Sequence, residues 1–452
     1  MHFGKFKHFH FVGIGGIGMS GIAEILLHQG FQVSGSDVQD GPIPERLRTL
    51  GARIFIGHCG SNLRDAQVLV FSSAIRKENP EMEAAAAQGI PTVRRAEVLG
   101  ELMRFKKGIA IAGTHGKTTT TTMVALVLIE AGMDPTVLVG ARYKGFGSNA
   151  RPGRGDFVVA EADESDRSFL RLSPVHTVVT NIDCDHMDEY RDLADIQEAF
   201  RQHLESIPFY GAIVACFDDP NLRPLIKNIH QRVLTYGLSP QANISARDVK
   251  LSPLSCAYGC FRKEVFLGQV ELNVPGRHNV LNSLAAVAMG LALDVPFDAI
   301  QRALAGFRGA ERRLEWKGEK AGVWVLDDYG HHPAEIRMTL EACRSSGRRI
   351  VAVFQPHRYS RTQYLMDDFG ACFEDADLLY LMDIYSAGEE PIPGVTAGKL
   401  AGKIGAHRQV HFVPDRQALL QQLQTQTREG DLLLTLGAGD VWKTGEAFLE
   451  QN

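Results

Sequence analysis

The sequence HFHFVGIGGIGMSG at residues 8–21 contains the pattern that most constrains the fold. An apolar strand predicted at His8–Val12 leads into the G-x-G-x-x-G motif Gly13–Gly18, and a helix is predicted to begin near Met19. Glycines allow a tight turn and the close approach of a phosphate, and the N-terminus of the following helix attracts an anion. Asp37 follows a second short strand, where an acid can bind a ribose hydroxyl. The motif predicts a bound nucleotide diphosphate without specifying which one, and taken alone it suggests NAD or FAD.

A second glycine loop, GTHGKTTT at residues 113–120, follows the predicted strand Gly108–Ala112. Its chemistry resembles that of a P-loop. Backbone N–H groups can surround phosphates, Lys117 can reach the β and γ oxygens, and the Thr118 hydroxyl can bind Mg²⁺. The usual spacing G-x-x-x-x-G-K-[ST] is not met, because Ile111 occupies the position of the first glycine. The strand–loop–helix context predicts phosphate binding, and the alternative is an ordinary helix cap.

Acidic segments follow two later predicted strands. EADESD at residues 161–166 comes after the strand Asp156–Ala160, and its first residue, Glu161, is the predicted acidic ligand of Mg²⁺. TNIDCDHMD at residues 180–188 follows another apolar strand, and His186 within it is a predicted metal ligand or phosphate contact. The alternatives are a solvated acidic loop and a structural histidine.

Short apolar runs alternate with helix-length segments along most of the chain, which is typical of mostly parallel α/β sheets. Glycine loops restart a strand–loop–helix unit at Gly108 and near Gly322. We therefore predict three domains, at residues 1–105, 106–308 and 309–452. The stretch from about Ile244 to Val274 departs from the pattern and predicts an antiparallel insertion of short strands.

Composition excludes several classes of protein. The 452 residues are 44% hydrophobic and 22% charged, which is the balance of a globular protein and not of a disordered one. The net charge of −5 gives no sign of a nucleic-acid-binding surface. Because no apolar run reaches the roughly 18 residues of a membrane span and no signal peptide is evident, we predict a cytoplasmic protein without a membrane partner. Either a monomer or a homodimer is compatible with the sequence.

Several longer segments together resemble the Mur ligase family of ATP-dependent, amide-forming ligases. They are VGIGGIGMSG at 12–21, GTHGKTTT at 113–120, EADESDRSFLRLSP at 161–174, TNIDCDHMDEY at 180–190, VPGRHNVLNSLAA at 274–286, DDYGHHPAEI at 327–336 and FQPHRYSRT at 354–362. The resemblance covers all three predicted domains. It implies a Rossmann-like N-terminal domain that binds a UDP-sugar, a P-loop ATPase-type central domain, and a Rossmann-like C-terminal domain that binds an amino acid.

The resemblance also implies a reaction. ATP, with Mg²⁺, phosphorylates the carboxylate of UDP-N-acetylmuramate, and the amino group of L-alanine attacks the resulting acyl phosphate. The residue types suit this chemistry, because a carboxylate is a poor electrophile until phosphorylation supplies a leaving group. Phosphoryl transfer itself needs positioning and charge neutralisation.

The resemblance assigns candidate residues to each substrate. The UDP-sugar contacts are Gly15, Gly16, Ile17, Gly18, Met19, Asp37, His58, Ser73 and Ala74. The ATP contacts are Gly113, Thr114, His115, Gly116, Lys117, Thr118, Thr119, His278, Asn279, Asn282 and Arg312. The metal ligands are Thr118, Glu161 and His186, and the catalytic residues are Lys117, Glu161 and His186. The alanine contacts are Tyr329, His331, Arg358 and Arg361, with His357 as a further candidate.

One family feature is missing, and other functions remain open. Several relatives carry a carbamylated lysine that orients a second magnesium ion, but no lysine occurs between Lys144 and Lys227. The first alternative function is a NAD-dependent oxidoreductase that uses the first loop. The second is a non-catalytic UDP-sugar sensor with ATP as its switch. The third is a ligase that attaches a murein tripeptide to UDP-N-acetylmuramate.

Overall fold

The computed structural model describes residues 3–187, 189–404 and 410–450, so Asp188 of the segment 180–190 lies outside the described residues. The chain divides into two compact units. The first extends to Ser245 and includes Phe261–Val265 and Asn282–Leu304, and the second comprises the other residues. Among the described residues, no helix combines the length and apolar character needed to cross a membrane.

The N-terminal part of the first unit is a five-stranded parallel sheet with the order β3-β2-β1-β4-β5. Its strands are β1 (His8–Val12), β2 (Gln32–Asp37), β3 (Arg53–Ile56), β4 (Val68–Phe71) and β5 (Thr92–Arg94). Its helices are α1 (Ile17–His28), α2 (Pro42–Thr49), α3 (Pro80–Gln88) and α4 (Arg95–Phe105). The strand order reverses between β1 and β4. Doubly wound sheets bind ligands at such a point, outside the carboxyl ends of the strands.

Seven neighbouring strands of a ten-stranded sheet also lie in this unit, in the order β12-β11-β10-β6-β9-β7-β8. Its strands are β6 (Lys107–Ala112), β7 (Thr136–Tyr143), β8 (Ser148–Arg151), β9 (Phe157–Glu161), β10 (His176–Val179), β11 (Ile213–Cys216) and β12 (Val233–Gly237). Its helices are α5 (Lys117–Glu130), α6 (Leu193–Glu205) and α7 (Arg223–Ile226). Only the β7–β8 pair in this order is antiparallel. Because β9 and β10 both flank β6, the second glycine loop and the two acidic segments meet at one edge.

The predicted insertion consists of β13 (Ile244–Ser252), β14 (Ser255–Arg262) and β15 (Val265–Leu272). They are neighbours in the strand order and are joined by two-residue connections, which link antiparallel strands. Two helices follow, α8 (Arg277–Ala292) and α9 (Phe297–Gly306).

The C-terminal part of the second unit is a six-stranded sheet with the order β16-β17-β21-β18-β19-β20. Its strands are β16 (Glu315–Lys320), β17 (Val323–Asp328), β18 (Arg349–Phe354), β19 (Leu378–Leu381), β20 (Val410–Phe412) and β21 (Asp431–Leu436). Its helices are α10 (Pro333–Arg344), α11 (Tyr359–Tyr364), α12 (Met366–Phe369), α13 (Ala397–Lys403), α14 (Arg416–Gln426) and α15 (Trp442–Glu450). Only β16 runs antiparallel to its neighbour.

Burial on both faces explains the apolar runs seen in the sequence. Residues 350–354 of β18 are all fully buried, as expected for a central parallel strand covered by helices on both sides. The α/β fold with parallel-dominated sheets is confirmed. The boundaries at residues 105 and 308 stay predictions.

Candidate functional site

The first glycine loop is fixed by the end of β2. The carbonyl of Ser36 accepts the N–H groups of Gly13 at 2.8 Å and Ile14 at 3.0 Å. Asp37 Oδ2 accepts the N–H of Gly15 at 2.8 Å. A Cβ on Gly15 would lie 2.8 Å from the same oxygen, so a larger residue here would displace the Asp37 carboxylate. Asp37 therefore anchors the loop, and the first turn of α1 has no acidic residue to repel an anion.

The other predicted UDP-sugar contacts lie at the same sheet edge, and all except Met19 have some exposed surface there. Ser73 and Ala74 are exposed in the turn after β4, and His58 follows β3. A Cβ on Gly13 would lie 3.3 Å from Ile75 Cδ1, which places that turn beside the loop. Gly16, Ile17 and Gly18 are exposed in the loop and first helical turn. The side chain of Met19 is buried in the core.

A fully buried carboxylate beneath this edge, Glu81 of α3, was not predicted. Ser36 Oγ donates to Glu81 at 2.5 Å, and Asn62 Nδ2 donates to it at 2.6 Å. The Ser36 hydroxyl has one proton and donates it to the carboxylate. His58 Nδ1, which lies 2.9 Å from Ser36 Oγ, is therefore the donor in that second hydrogen bond. Burial alone would raise the pKa of Glu81, but His10, Ser36 and Asn62 lower it to about 2. Glu81 thus fixes the orientation of His58. No motif marks it in the sequence.

The second glycine loop, Gly113–Gly116, is held by polar groups that follow β10. The N–H of Thr114 donates to the Asn181 carbonyl at 3.2 Å. The N–H of His115 donates to Asn181 Oδ1 at 2.8 Å, and Thr180 Oγ1 donates to the carbonyl of His115 at 2.6 Å. These hydrogen bonds between groups of the protein fix the backbone of the loop.

Lys117 begins α5 and forms a buried ion pair. Its Nζ lies 2.8 Å from both carboxylate oxygens of Glu164, a side chain that is 2% exposed. Burial alone would lower the pKa of Lys117, but Glu164, Asp163 and Glu161 together raise it, so the ammonium stays protonated. The sequence had singled out Glu161 in this segment. Sequence alone does not show which of several nearby acids is buried, so the Glu164 pair was missed.

The other predicted metal and catalytic residues surround this pair. Glu161 Oε1 accepts the N–H of Gly140 at 2.5 Å, at the end of β9. His186 Nε2 lies 3.8 Å from Glu164 Oε1. Thr118, in the first turn of α5 with Thr119, is 5% exposed. Carboxylate and hydroxyl oxygens are the donors that Mg²⁺ prefers, so this set fits the ion.

Helix α8 carries three predicted ATP contacts in different settings. Asn282 Oδ1 accepts a hydrogen bond from Thr120 Oγ1 at 3.3 Å, which places Asn282 against α5. Asn279 Nδ2 donates to the Pro275 carbonyl at 2.7 Å, at the start of its own helix. His278 is partly buried in the second unit, and its desolvation, followed by the charge of Arg313, lowers its pKa to about 4, so the ring is neutral at pH 7.

Replacing Gly116 by alanine tests the second loop. Gly116 has a φ of 82°, and an added Cβ would lie 2.6 Å from Asn282 Oδ1. We expect the loop to shift, the KM for ATP to rise at least about tenfold and turnover to fall about 100-fold. Gly132→Ala is the control, because that glycine also has positive φ, 72°, but has no atom within 4 Å of the added Cβ. Equal ATP kinetics in the two variants would contradict the assignment of the loop to ATP.

A cluster of rings and one guanidinium follows β17, β18 and β19 in the second unit. The ring of His331 lies 5.4 Å from that of Tyr329 and 5.8 Å from that of His357. His357 stacks on Tyr385 at 5.7 Å, and its Nδ1 lies 3.3 Å from Arg361 Nη1. Burial, followed by the nearby positive charges, lowers the pKa of His357 to about 3. Three of the predicted alanine contacts, Tyr329, His331 and Arg361, therefore meet here, and His357 lies at the centre.

Arg358 and Arg361 lie at the start of α11, as the alanine hypothesis requires. Arg358 is the N-cap residue, with a φ of 69°, and its N–H donates to the carbonyl of Tyr385 at 2.8 Å. Its side chain is 42% exposed, and its Nε lies 4.0 Å from Glu389 Oε1. The guanidinium is therefore accessible to a carboxylate ligand.

Arg312, a predicted ATP contact, is already engaged within the second unit. Its guanidinium donates to Asp327 Oδ2 at 3.0 Å and to the carbonyls of Gly437 at 2.5 Å and Gly439 at 3.0 Å. It also lies over the Tyr329 ring, 5.0 Å from the centroid. These contacts fix the segment after β21 beside the ring cluster.

Comparison with known proteins accounts for this arrangement. Three family models match in succession: the Mur ligase family catalytic domain at residues 8–107, the Mur ligase middle domain at 111–290, and the Mur ligase glutamate ligase domain at 312–439. The chain belongs to the Mur ligase family. The match extends across both glycine loops and the ring cluster, so all three belong to one Mur ligase.

Individual relatives within the Mur ligase family are similar over the full length. The chain is 52% identical to the UDP-N-acetylmuramate–L-alanine ligase of Geobacter sp. strain M21, over 99% of this chain and 98% of that protein. It is 53% identical to the ligase of the same name from Desulfatibacillum aliphaticivorans, over 97% of each.

Solved structures of Mur ligases agree with the fold. The UDP-N-acetylmuramate-alanine ligase of Thermotoga maritima matches with a TM-score of 0.84 and 29% identity over 98% of both chains. A murein peptide ligase from Psychrobacter arcticus matches with a TM-score of 0.72 and 23% identity over 98% of both chains, a likeness of fold.

Proposed function

We propose that this Mur ligase joins the carboxylate of UDP-N-acetylmuramate to L-alanine, with cleavage of ATP to ADP and phosphate, in peptidoglycan precursor synthesis. The observation that carries the proposal is the identity of 52% over 99% of the chain to a ligase named for this reaction. The two glycine loops support it, because the reaction needs one diphosphate site and one triphosphate site. A NAD-dependent oxidoreductase would leave the ion pair of Lys117 and Glu164 without a role.

The first step activates the carboxylate. A carboxylate oxygen attacks the γ-phosphorus of ATP, an O–P bond forms, the bond to the β–γ bridging oxygen breaks, and ADP leaves. Such a transfer depends on positioning and on neutralising phosphate charge. Lys117, held protonated at the N-terminus of α5, supplies positive charge there, and the backbone of Gly113–Gly116 supplies N–H donors.

Mg²⁺ is the metal that this site fits. We propose that Thr118, Glu161 and His186 would hold the ion. We add Glu164 to this set, because its carboxylate lies between Lys117 and His186. When bound, the ion would neutralise charge on the phosphates of ATP. The fixed second loop and the buried carboxylate of Glu164 keep these side chains in place.

The second step forms the amide. The neutral alanine amine attacks the acyl carbon and a C–N bond forms. The nitrogen releases a proton to solvent, and the tetrahedral intermediate collapses to the amide by expelling phosphate. We assign the amino acid to the ring cluster, where Arg358 and Arg361 would bind the alanine carboxylate through charge-assisted hydrogen bonds. Tyr329 and His331 form the neighbouring wall of the cluster.

Phosphate release tests the proposal. The protein is incubated with ATP, Mg²⁺ and UDP-N-acetylmuramate, and each amino acid or a murein tripeptide is added in turn. We expect release that requires both the UDP-sugar and L-alanine, with a product mass that matches the new amide. Release with the tripeptide and not with alanine would assign the chain to the tripeptide ligases. No release, with both nucleotides bound, would favour the sensor hypothesis.

A further inference from the structure

Arg95 lies between the two glycine loops of the first unit. It is the first residue of α4, which connects the N-terminal sheet to β6. A Cβ on Gly18, in the first turn of α1, would lie 3.0 Å from Arg95 Cδ and 3.3 Å from its Nε. On its other side, Arg95 Nη2 lies 3.7 Å from Asp163 Oδ2. The Arg95 guanidinium therefore reaches from the first glycine loop to the acidic segment after β9.

Asp163 belongs to the acidic segment beside the second glycine loop, which we assign to ATP. Its neighbour Glu164 pairs with Lys117, and Asp163 itself contributes to raising the pKa of Lys117. Asp163 Oδ1 accepts the N–H of Ser165 at 3.1 Å, which fixes the carboxylate with Oδ2 toward Arg95. Arg95 of α4 and Lys117 of α5 are thus two cations on different helices that face the same acidic segment.

The reaction proposed above requires positive charge between the two glycine loops. The carboxylate of a sugar held at the first loop must approach the γ-phosphate held at the second, and both groups are anionic. The carboxylates of Glu161, Asp163 and Glu164 add to the repulsion. An arginine fork can bind a carboxylate through two parallel hydrogen bonds.

The Arg95 guanidinium has donors to offer such a ligand. Its side chain is 22% exposed. Within the part of the chain that the structure describes, its one ion pair is the contact to Asp163 at 3.7 Å, which is longer than a hydrogen bond. A carboxylate placed between Gly18 and Asp163 would therefore find unused N–H groups.

We propose that Arg95 binds the muramic acid carboxylate of UDP-N-acetylmuramate and holds it for attack on ATP. This inference rests on the proposed function and adds a substrate contact to it. A contact from Arg95 to this carboxylate would distinguish UDP-N-acetylmuramate from UDP-N-acetylglucosamine, because the two differ only in the lactyl ether that carries the carboxylate. UDP-N-acetylglucosamine has the same nucleotide and a similar sugar but lacks the lactyl carboxylate.

Binding of these two ligands, measured by calorimetry, tests the role of Arg95. In Arg95→Ala we expect the affinity for UDP-N-acetylmuramate to fall about 10- to 100-fold, the loss of a charge-assisted hydrogen bond. Affinity for UDP-N-acetylglucosamine should change less than about twofold, since no contact to it is lost. Arg95→Lys should recover part of the difference, because the charge remains without the fork. Arg94→Ala is the matched control, since that neighbouring side chain is exposed.

The other outcomes overturn the inference. An equal loss of affinity for both ligands would assign Arg95 to the diphosphate. Unchanged affinities would leave it as a structural partner of Asp163. The proposed function is tested separately, because wild-type protein that makes no amide product would overturn that function whatever Arg95→Ala does to binding.

Discussion

Lys117→Ala is expected to lower turnover at least about 1,000-fold, the effect of removing a cation that stabilises a transferring phosphoryl group. The reason is the position of Lys117 at the N-terminus of α5, directly after the fixed loop. Affinity for UDP-N-acetylmuramate should change less than about twofold, because the first loop belongs to another sheet and its contacts are unaltered. Turnover is measured by phosphate release, and sugar affinity by calorimetry.

The buried partner of Lys117 requires a second variant. Lys117→Ala leaves the Glu164 carboxylate buried without its counter-charge, which costs about 3–5 kcal/mol of stability. The double variant Lys117→Met with Glu164→Gln removes both charges, so it should unfold near the wild-type temperature and remain inactive. Lys107→Ala, at an exposed position on β6, is the control and should retain turnover. Collapse of UDP-sugar affinity in the double variant would contradict the separation of the two sites.

Arg358→Ala and Arg361→Ala are each expected to raise the KM for L-alanine by about 10- to 100-fold, the loss of one charge-assisted hydrogen bond. Formation of the acyl phosphate should continue, because it precedes the entry of alanine into the chemistry. Hydroxylamine traps an acyl phosphate as a hydroxamate, so the two steps can be measured separately. Hydroxamate yield without alanine should match that of wild type in both variants.

Arg428→Ala provides the control for these arginines. Its side chain is 72% exposed and pairs with Asp431 at 3.8 Å, so the variant removes the same charge from the second unit away from the ring cluster. Its alanine kinetics should equal those of wild type. If Arg358→Ala and Arg361→Ala also leave the alanine KM unchanged, the amino acid binds elsewhere.

The sequence predicted the framework of the fold well. Strand β1 was placed at the observed residues, and β6 and β9 were placed to within one residue, because central parallel strands are apolar along most of their length. Strands β3 and β20 have no continuous apolar run to mark them, since both are partly exposed and contain charged or polar residues. Glycine loops at the ends of β1 and β6 were located for a physical reason, because those turns require glycine.

The finer assignments at the site depended on packing that no pattern records. Glu161, the first acid of its segment, was favoured, whereas Glu164 is the buried partner of Lys117. Glu81 and Arg95 lie on helices without a motif, and each contacts residues far away in the sequence. The roles assigned to individual residues at each substrate site stay predictions.

Activation of the carboxylate by phosphorylation is tested most directly by following its oxygen. UDP-N-acetylmuramate labelled with ¹⁸O in its carboxylate is incubated with the protein, ATP, Mg²⁺ and L-alanine, and the released phosphate is analysed by mass spectrometry. The oxygen that attacks the γ-phosphorus leaves with the phosphate when the amide forms. We therefore predict one ¹⁸O atom in each phosphate released. Unlabelled phosphate, with amide product formed, would contradict the acyl phosphate mechanism.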